Sequence, residues 1–145
     1  MGIRPLTLLA GTFAPGAVAL GLAIAPAWAG GPPGVVENFD NIAQAVGSGL
    51  INDTLVGYTA FGPDDNAAEA AVIAACQAAG ARDCTSDEAS NDNLCIMTIG
   101  DDTTGGVSGG AGRTEDDAYA DAVARAAAAG TPLGPETRVL ISACP

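Results

Sequence analysis

The side chains with the most decisive chemistry are four cysteines, Cys76, Cys84, Cys95 and Cys144, separated by 8, 11 and 49 positions. Thiolates either ligate metals, attack electrophiles or oxidise to disulfides. The chain contains no histidine, so a structural zinc site would need all four sulfurs, and the spacings contain no Cys-x-x-Cys pair. Two disulfides are therefore expected, which removes every thiolate nucleophile. The absence of histidine also excludes Ser-His-Asp and Cys-His catalysis and histidine-metal centres.

Carboxylates are the next candidates. Asp64-Asp65, Asp101-Asp102 and Glu115-Asp116-Asp117 could be imagined as acid/base pairs of a glycosidase. The first and third stand at predicted helix starts, where the dipole favours acids, and Asp101-Asp102 falls in a predicted turn, where solvated Asp is common. Asp87 to Asn93 is rich in oxygen ligands but lacks the glycine and closing glutamate of an EF-hand loop, so a solvated loop is expected. The glycine-rich run Gly105 to Gly112 has no lysine after it and fits neither nucleotide fingerprint; it reads as an extended strand. Tyr58, Phe61 and Tyr119 are expected to pack in the core. No catalytic, cofactor-binding or metal-binding residue is assigned and no cofactor is implied.

The elements that position these residues begin after a leader. Met1 to Arg4, the apolar run Leu6 to Ile24 and Ala27-Trp28-Ala29 form the pattern of a signal peptide cleaved before Gly30. Residues 1–29 are thus read as a signal peptide, 30–40 as a linker opened by Gly30-Gly31-Pro32-Pro33-Gly34, and 41–145 as one domain. Loss of Arg4 leaves 4 basic against 17 acidic residues, a net charge of −13. Such a surface repels nucleic acid and anionic lipid, and no membrane insertion is expected after cleavage. Disulfides behind a signal peptide place the domain in an oxidising compartment, secreted or in the cell envelope.

Two alanine-rich helices are bounded by clear signals. Asp64, Asp65 and Asn66 are competent N-caps, Asn66 and Glu69 resemble a capping box, and Gly80 supplies the stop. Thr114 caps the second helix, with Asp117 at the box position and Gly130 at its end. Thr54 to Phe61, Leu94 to Ile99 and Arg138 to Ala143 read as strands. Thr85 to Asn93 reads as a polar loop, and Val35 to Val46 fits a helix or a strand entering a turn at Gly47-Ser48-Gly49.

The two helices echo one another. Asp64 and Thr114, Ile73 and Val123, and Gly80 and Gly130 are each 50 positions apart, while Cys95 and Cys144 are 49 apart. The chain reads as a duplicated strand-strand-helix-strand unit. Cys76 maps to Ala126 and Cys84 to Gly134, so the second unit lacks both counterparts together. If partners are lost as a pair, Cys76 bonds Cys84 and Cys95 bonds Cys144.

Glu69 to Cys76, Asp83-Cys84, Asn93-Leu94-Cys95, the glycine-rich stretch, the second alanine helix and Val139 to Cys144 resemble the small secreted bacterial family called domain of unknown function 4189. The resemblance covers about Asn41 to Cys144 and implies that Ile42 to Val46 is the first strand. That family usually carries a further cysteine pair and tryptophans where this chain has Ala126, Gly134 and Val107-Ser108, so this is a reduced member. The family supplies no activity and no functional residue.

The expected fold is α+β, a small antiparallel sheet with two alanine-rich helices and two disulfides. The expected function is a non-enzymatic binding or interaction module for an unknown protein or envelope ligand. The alternative is a proteinaceous inhibitor of a secreted hydrolase presenting the loop Thr85 to Asn93.

Overall fold

The computed structural model describes residues 42–131 and 133–145. The expected signal peptide (1–29) and linker (30–40) lie outside the described residues. Eight elements follow in the order β1 (Ala43–Ile51), β2 (Thr54–Gly62), α1 (Asp65–Ala78), β3 (Arg82–Ser90), β4 (Cys95–Asp101), β5 (Gly106–Gly112), α2 (Glu115–Ala128) and β6 (Arg138–Ala143). The antiparallel strands divide into two sheets of three, ordered β2-β1-β3 and β5-β4-β6. The order strand-strand-helix-strand therefore occurs twice, each time with the first strand of the unit in the middle of its sheet.

Both helices begin and end as their sequences dictate. Asp64 is the N-cap of α1 and accepts from the Ala67 amide at 2.8 Å, so Asn66 already lies within the helix. Thr114 caps α2 in the same way, accepting from the Asp117 amide. Gly80 and Gly130 adopt φ of +80° and +73°. Behind them the Ala81 and Thr131 amides donate to the Cys76 and Ala126 carbonyls, closing a Schellman motif at each end.

Two predicted boundaries move. β1 runs through Gly47-Ser48-Gly49, and the chain turns instead at Asn52-Asp53, both at positive φ in a two-residue hairpin loop. Gly49 is needed for close approach: a Cβ there would lie 2.3 Å from the Cys76 Sγ. The polar stretch Thr85 to Ser90, expected as loop, belongs to β3 and pairs with β1 from Gln44↔Ser90 to Leu50↔Arg82. Its side chains find partners there. Asp87 accepts from the buried Ser48 hydroxyl at 2.8 Å and from Thr85 at 2.7 Å, so burial of polar groups costs little. Only Asn91 to Asn93 remain to connect β3 with Leu94 and β4.

The two sheets face each other, β1 against β4, with β2 beside β6 and β3 beside β5. Val46, Ile96 and Thr98 are buried. Glycine thins the join between the sheets: a Cβ on Gly109 would lie 2.0 Å from the Asp87 carbonyl oxygen. The outer faces carry the helices. Ala68 and Val72 of α1 pack on Ala43 and Ala45 of β1, with Tyr58 beside them. Ala118 and Ala122 of α2 pack on Cys95, Met97 and Ile99 of β4, with Tyr119 and Leu133 beside them.

The disulfides join Cys76 to Cys84 and Cys95 to Cys144. The first ties the last turn of α1 to β3. The second ties the start of β4 to the residue after β6.

Candidate binding groove

The units differ in where their helices rest. α1 lies across all three strands of its sheet, whereas α2 lies over β5 and β4 and leaves β6 to its side. Several contacts hold α2 in that place. Gly110 of β5 sits directly beneath it; a Cβ there would be 2.2 Å from the Ala118 carbonyl oxygen and 2.4 Å from the Ala122 nitrogen. Ser108 donates to the Ala122 carbonyl at 2.8 Å, and Asp121 accepts from the Ala111 amide at 3.0 Å. Arg125 pairs with Asp121 one turn back and with Glu88 on β3. Burial pushes the Glu88 carboxyl above its ordinary value, and the Arg125 guanidinium opposes that rise. All of these contacts lie on the β5 and β3 side. On the opposite side no disulfide ties α2 to the chain that follows it, because Ala126 and Gly134 stand where the first unit's pattern has Cys76 and Cys84; Cys95–Cys144 joins only β4 and the end of β6.

A groove remains between α2 and β6. It consists of two hollows that share Tyr119, of about 330 and 310 Å³. Met97, Val139 and Ser142 line the first together with Glu115 and Asp116. Val123, Ala127, Leu133, Gly134 and Thr137 line the second. Val123 and Val139 are 42% and 44% exposed. The Ser142 hydroxyl donates to Glu115 at 2.6 Å, bridging β6 and α2 at the acidic end. A smaller hollow of about 190 Å³, between Ile42, Phe61, Leu94 and Pro145, lies elsewhere. Phe61 is 62% exposed there rather than in the core.

The carboxylate clusters take different places. Asp64 caps α1, as expected. Asp101 is a correction: it is buried at the end of β4 rather than solvated. One of its oxygens, Oδ1, accepts from the Thr103 hydroxyl at 2.5 Å and amide at 2.8 Å. These bonds, led by that from the hydroxyl, hold its pKa below the ordinary carboxylate value. A Cβ on Gly134 would be 2.4 Å from the Asp101 Oδ2, so a side chain there would have to displace the Asp101 carboxylate.

Asp102 joins the two sheets. It accepts from the Leu55 amide of β2 at 2.7 Å and from Arg138 of β6 at 2.9 Å, while Arg138 also donates to the Leu55 carbonyl at 2.8 Å. The Leu55 bond, followed by that from Arg138, lowers the Asp102 pKa. Asp87, from the oxygen-rich stretch, is engaged by Ser48 and Thr85. Among the described residues, no group of three or more Asp, Glu, Cys or His is arranged to hold a metal ion, and no helix is long and apolar enough to cross a membrane.

The sequence offered two clues to the groove, the missing second cysteine pair and the glycine run of β5. What they did not reveal is that together they place a helix to one side of its sheet. No protein-family model, curated protein or solved structure matches the chain.

Proposed function

We propose that this chain is a secreted or cell-envelope binding module, without enzymatic activity, whose ligand site is the groove between α2 and β6. The observation that carries the reading is the open outer face of the second sheet beside β6, where the equivalent strand of the first sheet lies beneath α1. The groove combines exposed valines, a tyrosine at its centre and carboxylates at one end, a composition suited to holding a ligand. Its hydroxyls, on Ser142, Tyr119 and Thr137, have no histidine or lysine to activate them, since the chain contains neither. Two disulfides suit an oxidising compartment. Membership of the domain of unknown function 4189 family belongs to the same proposal and is supported by the placement of Cys76, Cys84, Cys95 and Cys144. An inhibitor presenting Thr85 to Asn93 is the weaker reading, because β3 takes Thr85 to Ser90 into the sheet.

Site-specific photocrosslinking tests the groove. Benzoylphenylalanine placed at Val123 or Val139 is expected to capture an envelope or extracellular component, whereas the same group at the exposed Glu69 on α1 is not. Equal capture at all three positions, or capture only at Glu69, would overturn the assignment.

A further inference from the structure

Resting on that groove assignment, we infer that its occupant is a short extended peptide with a basic residue at one end and apolar ones along the rest. Charge complementarity gives the first half of the inference. Glu115 and Asp116 line one end of the groove, no basic side chain lines any part of it, and the chain as a whole carries −12. Of the arginines among the described residues, Arg82, Arg125 and Arg138 are already paired with carboxylates. The fourth, Arg113, stands exposed two residues before Glu115 and makes no ion pair with Glu115 or Asp116, so a cation entering beside them would meet two carboxylates with no salt-bridge partner. A second copy of the chain would bring the same acidic end and repel.

Dimensions give the second half. From Glu115 to Ala127 the α2 wall is about 18 Å long at roughly 1.5 Å per residue. An extended chain covers that distance in about five or six residues, with alternate side chains on one face. One same-face side chain then drops into each hollow, on either side of Tyr119. Apolar side chains suit the Val123, Leu133 and Val139 walls, and the base falls at the Glu115 and Asp116 end.

The test uses the full-length oxidised chain and two fluorescent hexapeptides, Arg-Arg-Leu-Val-Leu-Val and Glu-Glu-Leu-Val-Leu-Val, followed by fluorescence anisotropy. The basic peptide is expected to bind and the acidic one not. Glu115→Gln/Asp116→Asn is expected to weaken binding roughly fivefold or more, the effect shrinking in high salt. Val123→Gln/Val139→Gln, at two exposed positions, is expected to weaken it by a similar factor at any salt. Equal binding of both peptides, weakened only by the double glutamine variant, would refute the basic partner and leave the groove assignment standing. Binding of the basic peptide that neither double variant weakens would remove both. Binding of neither peptide overturns the peptide inference, with crosslinking at Val123 and Val139 judging the groove separately. A dimer in sedimentation that the double glutamine variant dissociates would put a second copy in the groove and overturn the inference.

Discussion

Gly110→Ala is the sharpest probe of how α2 is seated. The added methyl would stand 2.2 Å from the Ala118 carbonyl oxygen, 2.4 Å from the Ala122 nitrogen and 2.7 Å from the Ala122 Cβ. Two of those atoms are helix backbone, which cannot swing aside as a side chain tip can. Restoring ordinary contact, near 3.4 Å, requires α2 to lift by about 1 Å. That separates Ala118 and Ala122 from β5 and strains the hydrogen bonds from Ser108 to the Ala122 carbonyl and from the Ala111 amide to Asp121. Overpacking of this kind costs about 1–3 kcal/mol, offset by about 0.4–1 kcal/mol from the restricted unfolded chain. A net loss of about 1.3 kcal/mol lowers the Tm by about 5–10 °C in a domain of this size. Gly106→Ala is the matched control in the same strand. Its methyl would meet only the Leu133 Cδ2 at 3.1 Å and the Thr104 Oγ1 at 3.2 Å, both ends of side chains that can move. Comparing the two variants by calorimetry cancels the unfolded-state contribution. A Gly110→Ala protein that melts within about 2 °C of Gly106→Ala would refute the glycine-seated helix and with it the stated origin of the groove.

Replacing Cys95 and Cys144 by alanine is expected to cost about 4 kcal/mol on the loop-entropy account, and replacing Cys76 and Cys84 about 2.6 kcal/mol. Denaturant titration of the two variants checks both the sizes and their order; equal losses would count against loop length as the cause. Asp102 has a folded pKa below its ordinary 3.8, so between those values the unfolded state binds more protons and stability rises with pH. Its contribution is present above pH 3.8 and lost as pH falls through the folded value. Asp102→Asn should therefore flatten the acid limb of a Tm–pH curve, with Asp101 supplying the slope that remains; an unaltered limb would refute the Leu55–Asp102–Arg138 linkage. Thr98 is fully buried, and its hydroxyl has no partner in the structure. Thr98→Val should then melt at the same temperature or higher, since the unpaired group is replaced by one of the same shape. A loss above about 1 kcal/mol would show that the hydroxyl is bonded.

Local signals were legible wherever a residue acts on its own neighbours. Asp64 and Thr114 cap their helices because a short acceptor beside free amides needs no tertiary help, and Gly80 and Gly130 end them because L side chains avoid positive φ. The paired absence of counterparts to Cys76 and Cys84 pointed to the connectivity that the fold contains. The sequence misled where distant partners decide. Thr85 to Ser90 is polar and lacks strand periodicity, yet β1 offers it a ladder, and Ser48 bonds Asp87 and Thr85 within it. Asp101, one residue before Asp102, is buried because Gly134 crosses over it, a contact between residues far apart in the chain.

By itself, then, the sequence determined the caps, the helix ends, the absence of histidine chemistry and the strands over Thr54 to Phe61, Leu94 to Ile99 and Arg138 to Ala143, but not β3. Only the tertiary structure decided that these strands form two facing sheets and that one helix covers its sheet while the other does not. The reason is physical. Helix caps depend on atoms within a few residues, whereas the seat of α2 depends on Gly110 admitting a helix backbone and on Glu88, from the other sheet, drawing Arg125 toward β3. The groove beside β6 is what those distant contacts leave uncovered.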